Sequence, residues 1–196
     1  MVGPRLGLLR AATAAAHQSV EARLNLLGPE LDRRRYAEYL GALLCVVEPL
    51  ERALLQVEGI ERAWPDLRER QKAPQLHRDL AELGQAAELG QAAERAGERD
   101  PSGAVRDVTT ALGIGYVLEG STLGGEVLRR EIVRRLGPVP TSYFNCYGGE
   151  LRARWLAFLT QLEAACLDEP ETQLVDGAHF AFTAVERTLT ARGLLR

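Results

Sequence analysis

The chain has 196 residues, 46% of them hydrophobic, with 24 basic and 27 acidic side chains and a net charge of −3. That length and apolar content can bury one substantial core and favour a single domain over residues 1–196; the acidic balance argues against nucleic acid as main partner. No run reaches the roughly 18 apolar residues that span a bilayer, and the opening stretch, broken by Arg5 and Arg10, reads as an amphipathic helix rather than a secretion signal.

Residues 3–26 are predicted to form the first helix, ending near Gly28-Pro29. Thr13, His17, Val20, Glu21 and Leu24 share one stripe of it, which sets an imidazole on a mostly apolar face. Such a histidine is either a packed structural residue or a ligand, haem iron being a common target. Glu21, one turn on, is spaced to orient its second ring nitrogen. A second helix is expected from Leu31-Asp32 to about Val57, with Tyr36, Tyr39, Leu40, Leu43, Leu44 and Val47 on its buried side and Pro49 kinking it. The stretch from Gly59 to Pro74 reads as turns, with Trp64-Pro65 packing a corner, and His77 falls in a polar loop or helix start. A duplication follows, Glu82-Leu83-Gly84-Gln85-Ala86-Ala87 repeated as residues 88–93. Six residues are not a whole number of helical turns, so the repeat presents no constant face and reads as a tolerated surface insertion. Gly97 to Gly103 is expected to be a loop.

Residues 111–130 then form a helix carrying five glycines, Gly113, Gly115, Gly120, Gly124 and Gly125, and running on to Leu136 before Gly137-Pro138. Each interior glycine costs a helix about 1 kcal/mol relative to alanine, so a close approach to the backbone is expected in return. Gly120 and Gly124 share a face on which a flat ligand could lie, edged by Tyr116, Ser121 and Thr122; helix-on-helix packing would demand small residues equally. Residues 142–167, with Trp155, Leu156, Phe158, Leu159 and Leu162, and residues 171–192 supply two more helices, and His179 reads as a packing or surface residue. Alternating strand patterns are scarce, so an all-α multi-helix bundle is expected. Cys45, Cys146 and Cys166, odd in number and without CxxC spacing, suit reduced thiols in a cytoplasmic protein.

In three places, in order along the chain, the sequence resembles the haem oxygenases, specifically the bacterial, biliverdin-producing branch often paired with bacteriophytochromes. These are the Leu9-Arg10-Ala11-Ala12-Thr13 run ending in His17 and followed by Glu21; Tyr116-Val117-Leu118-Glu119-Gly120-Ser121-Thr122-Leu123-Gly124-Gly125; and Ser142-Tyr143-Phe144 with Tyr147-Gly148 and the helix beyond. The resemblance implies a bundle with haem sandwiched between a proximal histidine helix and a glycine-rich distal helix. It makes His17 the axial iron ligand, Gly120, Ser121 and Gly124 the distal catalytic wall, and Val20, Glu21, Tyr116, Val117 and Gly125 further haem contacts. Arg10, two turns before His17, holds the family's propionate-binding position. Arg152 and Arg154 are further propionate candidates, Arg154 preferred. The implied reaction consumes oxygen and external electrons, from a ferredoxin or a reductase, and opens haem at a meso carbon to biliverdin, carbon monoxide and ferrous iron, with a bacteriophytochrome as recipient of the bilin.

Two departures stand out. The animal enzymes carry an aspartate where this chain has Ser121, so proton delivery is expected to pass through backbone carbonyls, Ser121 and water, or through Tyr143 or Tyr147. Their propionate tyrosine lies one residue earlier than Tyr116, and one helical step turns a side chain by about 100°. Arg129, Arg130, Arg134 and Arg135 form either a docking patch for an acidic electron donor or a solvated helix face. Alternative readings are a haem carrier or sensor without turnover, and a related scaffold with a di-metal site or a thiamin-like substrate.

Overall fold

A computed structural model describes residues 3–24, 26–85, 103–166 and 170–195. Among them no strand occurs, and Leu24 and Leu195 form one isolated antiparallel bridge. The fold is an all-α bundle around one contiguous core.

Helix α1, Pro4–Arg23, starts on a proline whose missing N–H would have had no partner there. The next two amides, of Arg5 and Leu6, donate to the Glu163 carboxylate at 3.3 and 3.0 Å, so a residue from far along the chain caps the positive end of this helix. Helix α2, Arg33–Leu54, is capped by Asp32, which accepts from the Arg35 amide at 2.7 Å. Pro49 lies inside it rather than ending it, and the residues around it are largely buried.

The turn-rich stretch contains two single helical turns, α3 (Ile60–Ala63) and a 3-10 turn (Leu67–Arg70), around a buried Trp64. Helix α4, Ala73–Glu82, is capped in trans: Glu51 accepts from the amides of Lys72 and Ala73 at 2.6 and 3.1 Å. Residues 86–93 of the duplication, and the expected 97–103 loop up to residue 102, lie outside the described residues.

The glycine-rich helix is not continuous. Helix α5, Val108–Gly120, passes through a 3-10 turn at Ser121–Gly124 before α6, Gly125–Leu136, begins. Asp107 caps its start, and Gly137, at φ 75°, closes its end with a bond to the Val133 carbonyl. The helix expected from residue 142 begins only at Leu151. Two 3-10 turns, Tyr143–Asn145 and Gly148–Glu150, precede α7, Leu151–Ala165. The reason comes from elsewhere in the chain: the buried carboxylate of Asp79 accepts from both the Ser142 and Tyr143 amides at 2.9 Å, and Gly148 adopts a left-handed φ of 50°.

Helix α8, Glu171–Ala191, is the common support of α1 and α5. Against α5 the approach is backbone to backbone. A Cβ at Gly113 would stand 2.0 Å from the Leu174 carbonyl oxygen, and one at Gly177 would stand 2.1 Å from that of Thr110. Against α1, His179 donates to the Ala12 carbonyl at 2.9 Å, and Arg23 pairs with Glu186.

Candidate functional site

The buried side of α1 is formed by Leu6, Leu9 and Thr13, with Val20 half-buried beyond them. His17 sits at the border of that side. Its side chain keeps 59% of its surface exposed, and its ring meets the edge of Phe182 on α8 at 6.2 Å. Nδ1 lies 3.2 Å from the Glu21 carboxylate, which orients the ring and leaves Nε2 as the nitrogen open to a ligand. Arg10 is exposed on the same helix and makes no ion pair among the described residues.

The five glycines separate by task. Gly113 permits the α8 backbone contact; Gly115 makes room for the indole of Trp64, 2.4 Å from where a Cβ would be. Gly125, expected to touch a ligand, instead admits the Phe144 carbonyl oxygen, 2.7 Å from a would-be Cβ. Gly120 and Gly124 differ from all of these. A Cβ at Gly124 would meet nothing within 4 Å, and one at Gly120 only the Trp155 ring at 3.8 Å. The bare strip carries two large apolar side chains that remain exposed, Leu123 at 45% and Val127 at 71%. They stand three and seven residues from Gly120, near the strip's own face. Exposed leucine and valine beside bare backbone make an apolar surface suited to a flat, greasy ligand.

Other expected lining residues are placed elsewhere. Val117 is buried in the core. Tyr116 is half-buried, its ring 5.9 Å from that of Trp155. Arg154 is occupied by carboxylates, Glu150 at 3.2 Å, Glu69 at 3.5 Å and Asp66 at 3.7 Å; Arg152 is exposed. The basic patch on α6 is largely neutralised within the helix: Arg129 and Arg130 pair with Glu126, Arg134 and Arg135 with Glu131, each carboxyl being drawn down to about 2 by those bonds. That arrangement favours the solvated-face reading.

Ser121 donates to the Leu118 carbonyl at 2.8 Å. The Tyr143 phenol lies within hydrogen-bonding reach of Ser121, and burial raises it well above the ordinary tyrosine range. A cavity of about 430 Å³ opens on Thr122, Glu126, Arg129, Phe144, Cys146 and Tyr147; neither His17 nor Gly120 lines it.

Two features were not anticipated from the sequence. Trp155, expected only as a core residue of its helix, borders the strip at Gly120; its spacing to Phe158, whose ring lies 5.9 Å away, was the available signal. Behind the strip lies a buried ionic cluster. Glu119 is 1% exposed and accepts from Arg70 at 2.7 Å, from Lys72 at 2.5 Å and from the Tyr147 hydroxyl at 2.7 Å. Lys72 is the sole lysine of the chain, and it is buried here. Burial also raises the carboxyl of neighbouring Glu51 and the Tyr147 phenol above their usual ranges. Nothing in local patterning marks these partners, which lie 28 to 49 residues from Glu119 in the chain. Among the described residues no three His, Cys, Asp or Glu side chains gather to hold a metal ion, so the di-metal alternative has nothing there to build on. No helix among them is long and apolar enough to cross a membrane.

Known structures share the fold. The heme oxygenase from Neisseria meningitidis, solved with NO and CO bound, superposes with a TM-score of 0.76 at 20% identity, covering 94% of this chain and 89% of its own. Heme oxygenase 2 from Chlamydomonas reinhardtii, solved without heme, gives 0.65 at 22% identity, covering 96% and 97%. At these identities both report the fold alone. No curated protein matches the sequence significantly. The family model described as Heme oxygenase matches residues 6–191, nearly the whole chain, and the protein therefore belongs to the heme oxygenase family.

Proposed function

We propose that the protein is a haem oxygenase of the bacterial, bacteriophytochrome-associated branch, which opens haem at a meso carbon to biliverdin, carbon monoxide and ferrous iron. The observation that carries this reading is the bare strip at Gly120 and Gly124, apolar and unobstructed, on a frame shared with an exposed histidine already oriented by a carboxylate. Residues 1–196 act as one domain, a reading supported by the single core.

The substrate fits the residues present. His17 offers Nε2 to the iron, and Glu21, accepting from Nδ1, keeps the imidazole in the required tautomer. Gly120 and Gly124 let the macrocycle approach the main chain, while Leu123, Val127 and Trp155 cover its apolar faces. Arg10, which makes no ion pair among the described residues, binds a propionate; Arg154, already satisfied by three carboxylates, is the weaker candidate, and Arg152 is the more available cation of the two. Haem, when bound, supplies the iron at which oxygen is reduced and the ring that is opened. The protein's part in that chemistry is to exclude bulk water and deliver protons. Ser121, backed by the neutral Tyr143 phenol, serves as the proton-conducting group in place of an aspartate. Electrons come from outside, from a ferredoxin or reductase, in a cytoplasmic setting, and the bilin passes to a bacteriophytochrome.

A second reading, a haem carrier or sensor without turnover, is favoured by one observation: the Ser121 hydroxyl donates to Leu118 and no carboxylate stands at that position. Titration with haemin followed by reductant and oxygen separates the two. The oxygenase gives a Soret band that decays as bilin absorbance grows; a stable band leaves the carrier, and no band removes both. His17→Ala is expected to weaken haem binding and abolish turnover, with stability changed by no more than about 0.5 kcal/mol because the side chain is largely exposed. Undiminished turnover in that variant would show that iron is held elsewhere.

A further inference from the structure

We propose that Glu119 is a positioning residue for the bare strip: its buried carboxylate fixes the point at which α5 tightens into the 3-10 turn, and so sets how closely Gly120 and Gly124 approach a bound macrocycle. The ligand in this statement rests on the haem reading above; the mechanical role does not.

A glycine strip cannot anchor itself, because it has no side chains with which to grip its surroundings. Gly120 and Gly124 touch almost nothing, and Ser121 and Leu123 are exposed. Thr122 is the one buried side chain between them, and the rest of the hold comes from the ends. At the far end the Phe144 carbonyl presses against Gly125. At the near end stands Glu119, the residue immediately before Gly120, with its side chain buried on the side away from solvent.

Three directional bonds hold that carboxylate. Arg70 and Lys72 come from the segment before α4, and Tyr147 from the turn before α7. Arg70 extends the grip by donating from both terminal nitrogens to the Arg154 carbonyl on α7 at 3.1 Å. Lys72 also donates to the Arg70 carbonyl at 3.1 Å. The main chain of Glu119 is engaged too, since Thr122 donates its hydroxyl to the Glu119 carbonyl at 2.6 Å. Side-chain bonds to carbonyls three residues back compete with the α-helical ladder and favour the tighter turn that follows.

An apolar residue could fill the same space with equal or better stability, since burying ions is costly. What it could not supply is direction. A carboxylate clamped from three sides fixes the rotation of the backbone at its own residue, and the next residue is the first of the strip.

The test compares Glu119→Gln, which keeps shape, and Tyr147→Phe, which removes one hydroxyl, with the unaltered protein. Amide hydrogen exchange of the haem-free protein is read across residues 120–125 and across α8. Glu119→Gln is expected to speed exchange in the strip by about tenfold while α8 is unchanged, and Tyr147→Phe by about threefold. In the haem complex, both variants are expected to shift the stretching frequency of bound carbon monoxide. Unchanged exchange in the strip, or an equal rise in every helix, overturns the proposal by showing that the cluster has no local role. Should Glu119→Gln fail to fold, Tyr147→Phe decides by the same pattern. If the unaltered protein binds no haem, the functional reading falls, and exchange in the haem-free protein still decides the role of Glu119.

Discussion

Gly113 and Gly124 belong to one stretch of chain, cost helix stability for the same reason, and do opposite work. At Gly113 the missing side chain is filled at once by another backbone, the Leu174 carbonyl of α8; at Gly124 the space stays open. Gly115 and Gly125 side with the first, taking the Trp64 indole and the Phe144 carbonyl, and Gly120 sides with the second. Helix packing thus accounts for Gly113, Gly115 and Gly125, and leaves Gly120 and Gly124 without a packing partner that needs a glycine. A run of glycines is not a single signal, and only the neighbours at each position reveal which are filled by packing and which stay open.

Substitutions can break that division. The largest effect is expected from Gly113→Ala or Gly177→Ala. Either methyl collides with backbone that cannot rotate away, so α5 and α8 must separate, at a cost of about 3 kcal/mol or more in thermal or denaturant unfolding. Gly124→Ala is expected to do the reverse. Its backbone is right-handed, φ −84° and ψ −9°, so alanine fits and unfolding stability holds or rises by about 0.5–1 kcal/mol. Haemin affinity should nevertheless fall by about tenfold, or about 1.4 kcal/mol, as the methyl lifts the ring from the main chain. A stable Gly113→Ala together with a destabilised Gly124→Ala would reverse the assignment.

The smallest effect concerns α6, just past the strip. Glu126 and Glu131 are held down to about 2 by their arginine partners, below the ordinary 4.5. A carboxyl depressed in the folded state contributes stability above its unfolded value and loses it as pH falls through the folded one. The melting temperature should therefore decline modestly on acidification from about 4.5 toward about 2. Because these pairs lie at the surface, roughly 1 M salt should remove that part of the decline, and α5 with its buried contacts should be insensitive to it.

Much of the scaffold was legible in the chain. Asp32 capping α2, Gly137 closing α6 and the apolar spacing of α8 all follow from local rules, and those rules placed α1, α2 and α8 within a few residues. They failed over residues 142–150, where Asp79 from another helix caps a turn that periodicity extends into a helix. They failed also at Ser121–Gly124, where hydroxyls bonding back to Leu118 and Glu119 tighten the backbone.

The candidate site divides in the same way. His17 with Glu21, and Gly120 with Gly124, were visible because helical spacing alone sets them on shared faces. Spacing says nothing about what stands opposite, so Val117, Gly125 and Arg154 were expected at a ligand yet meet the core, a carbonyl and three carboxylates. Trp155 at the strip and the Arg70–Lys72–Glu119–Tyr147 cluster behind it depend on contacts between residues far apart in sequence. By itself the sequence determined the helical class, the caps of α2 and α6, and which residues share a face with His17 and with Gly120, because each follows from bonds and periods within a few turns. Which glycines stay open, which cations stay free and what holds the strip were decided only by the tertiary structure, because close packing and buried charge are settled between elements, not along them.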